Sequence, residues 1–264
     1  MDVTFSEAST FKKIVDALKD LASECNIQFD SSGLHFQTMD ASHVALCSCY
    51  IDVSKFEDYA CEEGITLGIH FGSLTKLLRC ANPMDTMKLS CGKNPSVLDF
   101  EFKSKSEDKI TNFEMKLMDI DQEQLGIPEQ DYDIVFKMSS SEFQSICQNL
   151  MLIDDTVSLK VTRDTVTFES NGELGKASIQ LKNNQIEMNT DEPDVTAEFA
   201  LRYFNFFTKA TPLSPIVVIR LSPDYPIVIE YHLDTIADTI SSTDLPDTTK
   251  NSYLKYYLAP KMEN

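Results

Sequence analysis

Residues 9–21 read STFKKIVDALKDL, and residues 141–153 read SEFQSICQNLMLI. In the first, Phe11, Ile14, Val15, Leu18 and Leu21 fall at helical spacing, with Lys12, Lys13, Asp16 and Lys19 opposite, which predicts an amphipathic helix. In the second, Phe143, Ile146, Cys147, Leu150 and Ile153 write the same stripe 132 residues later. The agreement extends past the helices into strands. NIQFDSSGLHFQTMD (26–40) alternates Ile27 and Phe29, then Leu34 and Phe36, around the turn residues Asp30 to Gly33, the pattern of two paired strands. Leu159, Val161, Val166 and Phe168 repeat those strands. Phe11 corresponds to Phe143, Ile14 to Ile146, Leu18 to Leu150, Ile27 to Leu159, Leu34 to Val166 and Phe36 to Phe168, without a gap.

A second helix also recurs, at an offset of 130: SLTKLLRCA (73–81) against YFNFFTKAT (203–211), with Leu74 matching Phe204, Leu77 matching Phe207 and Arg79 matching Lys209. MKLSC, VLDFEF, FEMKLM, VSLKV, ASIQL, IVVIRL and IVIEYHL supply strands, far more sheet than these short helices cover on both faces. One sheet face is therefore expected to carry helices and the other to meet solvent. The fold class is α+β, two similar domains each with two short helices packed on antiparallel sheet. Between the halves MDIDQEQLGIPEQDYD (118–133) loses all periodicity and reads as an extended linker. The expected division is 1–117, a linker at 118–134, and 135–264. A second irregular stretch, DTIADTISSTDLPDTTKNS (234–252), is expected to be a mobile surface loop.

Composition narrows the function. With 42% apolar and 25% charged residues and no run long enough to cross a bilayer, no membrane span or membrane partner is expected. MDVTFSEAST lacks the positive start and apolar stretch of a secretory signal, so an intracellular chain is expected. Seven cysteines (25, 47, 49, 61, 80, 91 and 147) contain no CxxC pair and are expected to be reduced and mostly buried, with Cys47 and Cys49 on one strand face. Asn94-Pro95-Ser96 is excluded as a glycosylation site by its proline. No P-loop, HExxH, GxSxG or dinucleotide fingerprint occurs, so neither catalysis nor a cofactor or metal is expected. Asp119, Asp121 and Glu123 imitate the start of a calcium loop, but Gln124 replaces its glycine and Gln130 its last glutamate. Cys61, beside Glu62 and Glu63, lacks a basic activator. The formal charge of −19 opposes nucleic-acid binding unless the 23 Lys and Arg are gathered on one surface.

GLHFQTMDASHVAL (33–46), SLTKLLRCA (73–81), EMKLMDIDQEQLGIPEQDYD (114–133), GELG (172–175), EFALRYFNFFTKATPLS (198–214) and LKYYLAPK (254–261) together resemble the proliferating cell nuclear antigen family of eukaryotic DNA sliding clamps, over essentially the whole chain. The resemblance implies a homotrimeric ring in the nucleus, with helices around a central hole and sheets outside. It implies a processivity factor that tethers DNA polymerase, clamp loader and repair proteins to double-stranded DNA.

Tracking along DNA without reading sequence needs Lys and Arg near phosphates. Lys12, Lys13 and Lys19 share the polar face of the first helix, Lys76 and Arg79 that of the second, and Lys209 recurs at the position of Arg79. Each alone could be an ordinary solvated charge; their recurrence favours a DNA-facing role. The resemblance adds Lys109 and Arg202. The third helix departs from the pattern, with Gln144, Ser145 and Gln148 where relatives often carry arginine, so a weaker hold on DNA is expected there. The family's hydrophobic pocket for a peptide bearing a glutamine and aromatic residues corresponds to Met39, His43, Val44, Leu46, Leu125, Ile127, Pro128, Pro226, Tyr257, Ala259 and Pro260. On sequence alone His43 reads as a packed core histidine. The linker and the LAPK tail are expected to offer backbone groups for strand addition.

By resemblance the ring closes through Ile110–Leu117 and Lys176–Leu181, with Ile110, Phe113, Met115, Leu117, Ala177, Ile179 and Leu181 as interface residues. A specialised clamp working only in a heterotrimer is the competing reading. Arg163 stands where eukaryotic relatives carry a modifiable lysine, and with the long 234–252 loop it suggests a divergent or virus-encoded member.

Overall fold

A computed structural model describes residues 1–121, 125–127, 130–182, 187–190 (backbone only), 195–223, 225–233 and 252–261. Glu123, Pro128 and all of the 234–252 loop except Ser252 therefore lie outside the described residues. The chain forms two compact units, one built from residues 1–41, 48–125 and 233–254, the other from 42–47, 126–232 and 255–264.

The elements of the first unit are β1 (Asp2–Phe5), α1 (Ala8–Leu18), β2 (Glu24–Asp30), β3 (Gly33–Met39), most of β4 (Ala45–Asp52), β5 (Asp58–Ala60), β6 (Ile65–His70), α2 (Phe71–Leu78), β7 (Thr86–Ser90), β8 (Val97–Lys103) and β9 (Ile110–Lys116). Its strands run in the order β5-β1-β7-β8-β9 in one layer and β4-β3-β2-β6 in another. The second unit holds β10 (Ile134–Ser139), α3 (Ser140–Leu150), β11 (Thr156–Val161), β12 (Thr165–Gly172), β13 (Gly175–Lys182), β14 (Glu187–Thr190), β15 (Val195–Ala200), α4 (Leu201–Phe207), β16 (Ile216–Leu221), β17 (Ile227–His232) and most of β18 (Tyr253–Leu258). Its layers run β14-β10-β16-β17-β18 and β13-β12-β11-β15. A short 3-10 turn, Thr208–Leu213, follows α4.

The 132-residue repeat holds to the level of register. Helix α1 begins at Ala8 and ends at Leu18, and α3 begins at Ser140 and ends at Leu150. Ile27 pairs with Phe36, and Leu159 with Phe168. At the offset of 130, β6 and α2 reappear as β15 and α4, and the pairing of Glu24 with His70 reappears as Thr156 with Ala200. The six matched apolar pairs are all buried. Phe11 and Phe143 occupy the same place under their helices, and burying such a ring fully contributes roughly 1.5–3 kcal/mol.

Three helix ends differ from expectation. The first stops at Leu18, because the Leu21 N–H turns back onto the Leu18 carbonyl at 2.8 Å. The second starts at Phe71 rather than 73, because the His70 ring accepts from the Ser73 N–H (3.1 Å) and caps the turn. The fourth gives way at Thr208 to the 3-10 turn containing Pro212, which has no N–H for a helix ladder.

Strands alternate buried and half-exposed residues as expected of a sheet with one covered face, as in β4, where Ala45, Cys47, Cys49 and Ile51 point inward. Strand β17 is the exception, with all six residues buried, Glu230 and His232 included. Gly68 admits a close approach that any side chain would block, since a Cβ there would overlap the Met118 carbonyl; Met118 N–H donates to the Gly68 carbonyl at 2.9 Å.

Candidate functional site

The residues expected to carry function fall into three groups, each built differently.

The helices come first. On α1 the apolar stripe, Ala8, Phe11, Ile14, Val15, Ala17 and Leu18, is buried, which leaves Lys13 exposed and Lys12 half-exposed on the polar side. Lys19 caps the C-terminus of α1, where a cation meets the negative end of the helix dipole, but its Nζ is also 2.7 Å from Asp16. Helix α2, which packs on α1, exposes Lys76 and Arg79. Lys109, at the start of β9, is exposed. In the second unit, α3 packs with α4 but carries no Lys or Arg. Its exposed face is Glu142, Ser145, Gln148 and Asn149, and the Gln144 amide is spent on the Thr208 carbonyl (3.1 Å). At the position equivalent to Lys19 stands Met151, 43% exposed, followed by Leu152 at 72%. The two cations of this unit expected to face DNA lie on and after α4: the Arg202 guanidinium sits 4.7 Å from the Tyr203 ring centre and donates to its hydroxyl (3.0 Å), and Lys209 Nζ lies 5.3 Å from the Phe206 ring centre.

The second group is the set expected to form a peptide pocket, divided between the two units. In the second unit the Ala259 N–H donates to the Val44 carbonyl (3.2 Å), which brings the LAPK tail beside the segment carrying His43, Val44 and Leu46. His43 is exposed and has φ 56°, so it is not a packed core histidine. Its left-handed backbone turns the chain there. Val44 is 37% exposed; Leu46, Ile127, Tyr257 and Pro260 are half-buried, and Pro226 and Ala259 exposed. Tyr132 donates to the Pro226 carbonyl at 3.2 Å, and burial pushes its phenol up. Met39, half-buried, and Leu125, 45% exposed, belong to the first unit.

Two features here were missed in the sequence. Gln37 clasps the linker: its Nε2 donates to the Leu125 carbonyl (3.0 Å) and its Oε1 accepts from the Leu125 N–H (2.8 Å). The expectation of open backbone groups is thereby corrected at several positions, since Leu125 is held at both ends, and Ala259 and Lys261 already donate to Val44 and Glu198. Below the tail, the 1%-exposed Glu230 carboxylate accepts from Arg220 Nε (3.3 Å) and Nη2 (3.2 Å) and lies 3.5 Å from Lys255 and from His232. Burial pulls the Lys255 ammonium below its ordinary range, partly offset by Glu230. This charged cluster ties β16, β17 and β18 together under the strand that carries Tyr257.

The third group is a pair of edges. Strand β9 lies at the end of its five-stranded layer and pairs with β8, and β13 lies at the end of its four-stranded layer and pairs with β12. Ile110 is 55% exposed, Phe113, Leu117, Ala177 and Ile179 half-buried, and Met115 and Leu181 buried.

The remaining chemistry is quiet. Among the described residues no group of three His, Cys, Asp or Glu could hold a metal, and no helix is long and apolar enough to cross a membrane. Cys25, Cys47, Cys49, Cys61 and Cys147 are buried free thiols, with Cys91 intermediate and Cys80 exposed. Burial pushes the Cys25 thiol up to about 12. Cys61 is also raised, by burial first; the carboxylate acting on it is Asp30, while the N-terminal amine opposes the shift. Arg163 is exposed in the bend between β11 and β12.

The chain is thus a doubled unit of two short helices on antiparallel sheet, with Lys or Arg on or beside α1, α2 and α4 but none on α3. Residues 1–125 match the family model of the proliferating cell nuclear antigen N-terminal domain, and residues 126–241 that of its C-terminal domain. The chain belongs to the proliferating cell nuclear antigen family, DNA-binding sliding clamps of replication that are non-enzymatic scaffolds, work with protein partners and oligomerise.

Proposed function

We propose that three copies of this chain close into a ring around duplex DNA and carry polymerase, clamp loader and repair factors along it, in the nucleus or a replication compartment. The observation that carries this reading is the pair of sheet edges: the two strands assigned to the interface, β9 and β13, both end their layers, so each has a row of backbone groups for a neighbouring copy to complete. Lys12, Lys13, Lys19, Lys76, Arg79, Lys109, Arg202 and Lys209 face the phosphates and hold DNA without reading bases. We assign 118–134 as the linker between domains 1–117 and 135–264. Partner peptides with a glutamine and aromatic tips seat on Leu46, Ile127, Pro226, Tyr257 and their neighbours. Such peptides add backbone bonds only where the linker and tail are not already engaged. No cofactor is required. At position 163 an arginine has no ε-amine for ubiquitin-type conjugation.

The test is the mass of the purified full chain across a range of concentrations. A mass three times that of the chain, persisting on dilution, is expected. A stable monomer would sink the homotrimer and favour the heterotrimeric reading.

A further inference from the structure

We propose that His70 is a positioning residue for DNA binding: its neutral imidazole caps α2, the helix that carries Lys76 and leads into Arg79, and a proton on the imidazole releases that cap. This rests on the reading of Lys76 and Arg79 as DNA-facing.

Helix α2 is eight residues long, little more than two turns, so its first turn is nearly half of it. The first N–H groups of a helix have no partner within it. Here the Phe71 N–H donates to the Ser23 carbonyl at 2.8 Å, and the Ser73 N–H donates to His70 Nδ1 at 3.1 Å. The Ser73 hydroxyl lies 3.3 Å from the same nitrogen. A backbone N–H can only donate, so Nδ1 accepts and the imidazole proton sits on Nε2, which is the neutral form.

Two further observations set this cap apart. A Cβ on Gly72 would come 2.8 Å from His70 Cε1 and 3.3 Å from Nδ1, so any side chain at 72 would push the imidazole off the helix start. At the offset of 130 the equivalent positions are Ala200 and Arg202, and α4 begins at Ala200 with no side-chain cap. Helices α1 and α3 also begin without one, at Glu7 and Ser139. Among the described residues, α2 is thus the one of four α-helices closed by a side-chain acceptor, and that acceptor is titratable.

Histidine changes its charge between about pH 5 and pH 8. His70 is exposed, so solvent protons reach it. Once protonated, Nδ1 is a donor facing another donor, and a cation stands at the positive end of the helix dipole. At this end of the sheet the neighbouring elements carry Glu24, paired opposite His70 on β2, Lys19 and Asp20 after α1, Glu114 and Lys116 on β9, and Lys76 on α2 itself. None of them changes the sense. The cap is whole while the imidazole is neutral and is lost as pH falls.

The experiment uses the full chain as parent, His70→Asn, His70→Ala and Lys76→Ala, from about pH 5 to about pH 8. At the alkaline end, NMR of the imidazole nitrogens should place the proton on Nε2. There, protection of the Ser73 amide against exchange, relative to an unstructured serine amide, should be roughly 5-fold lower in His70→Ala than in the parent, the factor that a cap of about 1 kcal/mol supplies. At the acid end the parent should fall to the level of His70→Ala, while His70→Asn, an acceptor that does not titrate, keeps its protection throughout. Duplex affinity at the alkaline end should fall in His70→Ala, by no more than that factor, and recover in His70→Asn. A proton on Nδ1, or parent Ser73 protection that ignores pH, overturns the cap. Unchanged duplex affinity in His70→Ala beside a weakened Lys76→Ala overturns the positioning role. No loss in Lys76→Ala is a different result: it overturns the reading of α2 as DNA-facing, and the positioning role with it.

Discussion

Replacing Gln37 by alanine removes both hydrogen bonds that hold Leu125, at 2.8 and 3.0 Å. An exposed intramolecular hydrogen bond contributes toward the low end of roughly 0.5–1.5 kcal/mol, so the clasp holds the linker by about 1 kcal/mol in total. That predicts a roughly 5-fold rise in the exchange rate of the Leu125 amide, read by NMR, with a melting temperature within about 1 °C of the parent. Partner peptides should weaken by less than that factor, because apparent affinity falls only with the fraction of time the segment is ordered. Gln37→Glu keeps the acceptor for the Leu125 N–H but sets a carboxylate against its carbonyl, so it should fall between parent and alanine in exchange. An unchanged Leu125 exchange rate in Gln37→Ala would refute the clasp. Tighter peptide binding would refute its positioning role, since Gln37 would then be competing with the peptide for the same backbone groups.

Three further outcomes are expected of the other surfaces. Leu46→Ala and Ile127→Ala, each removing partly buried methyl groups, should weaken a glutamine-and-aromatics peptide by about 1–2 kcal/mol, and no loss for either would mean the pocket is misassigned. Lys13→Ala and Lys76→Ala should each lower the salt slope of DNA binding by up to roughly 2.7, about 0.9 for each copy in a three-membered ring, whereas Ser145→Arg with Gln148→Arg should raise it; unchanged slopes would remove these residues from the DNA-facing set. Ile110→Asp alters a side chain 55% exposed in the single chain, so circular dichroism should stay unchanged while the assembly's mass falls, and an intact assembly would place the interface elsewhere.

The apolar skeleton was legible because it obeys two periods, 3.6 in α1 and α3 and 2 in the strand pairs, at one offset. Nothing but a repeated fold keeps Ile27 against Phe36 and Leu159 against Phe168. Helix ends were less legible, since a capping ring such as His70 and a 3-10 turn around Pro212 leave no mark on hydrophobic spacing. Gln37 was invisible for a related reason: it occupies an outward strand position, where any polar residue satisfies the pattern, and its partner is a backbone 88 residues away. The Glu230 cluster escaped because IVIEYHL alternates like a half-exposed strand, while in the fold every residue of β17 is buried and the glutamate is retained by Arg220 and Lys255. His43 went the other way, its left-handed backbone and exposure setting it outside the core to which its sequence context assigns it.

The repeat with which the chain announces itself is thus conserved in one property and divided in another. Its buried positions are interchangeable between halves, since a helix on a sheet asks only for apolar bulk at fixed spacing. Its exposed positions are not. Lys12, Lys13 and Lys19 face outward where the second copy has Gln144, Ser145 and Met151, and Gln37 grips the linker where the second copy has Glu169 bound to Lys176. Exposed positions cost the fold little to change, so they are where two copies of one fold can acquire different tasks. On this chain the first unit carries the denser helical charge and the Gln37 clasp on Leu125, and the second carries the LAPK tail. Grafting arginines onto α3 should therefore raise the salt dependence of DNA binding while leaving peptide affinity at the parent value. A parallel change in both would mean that the two tasks are not separable by surface.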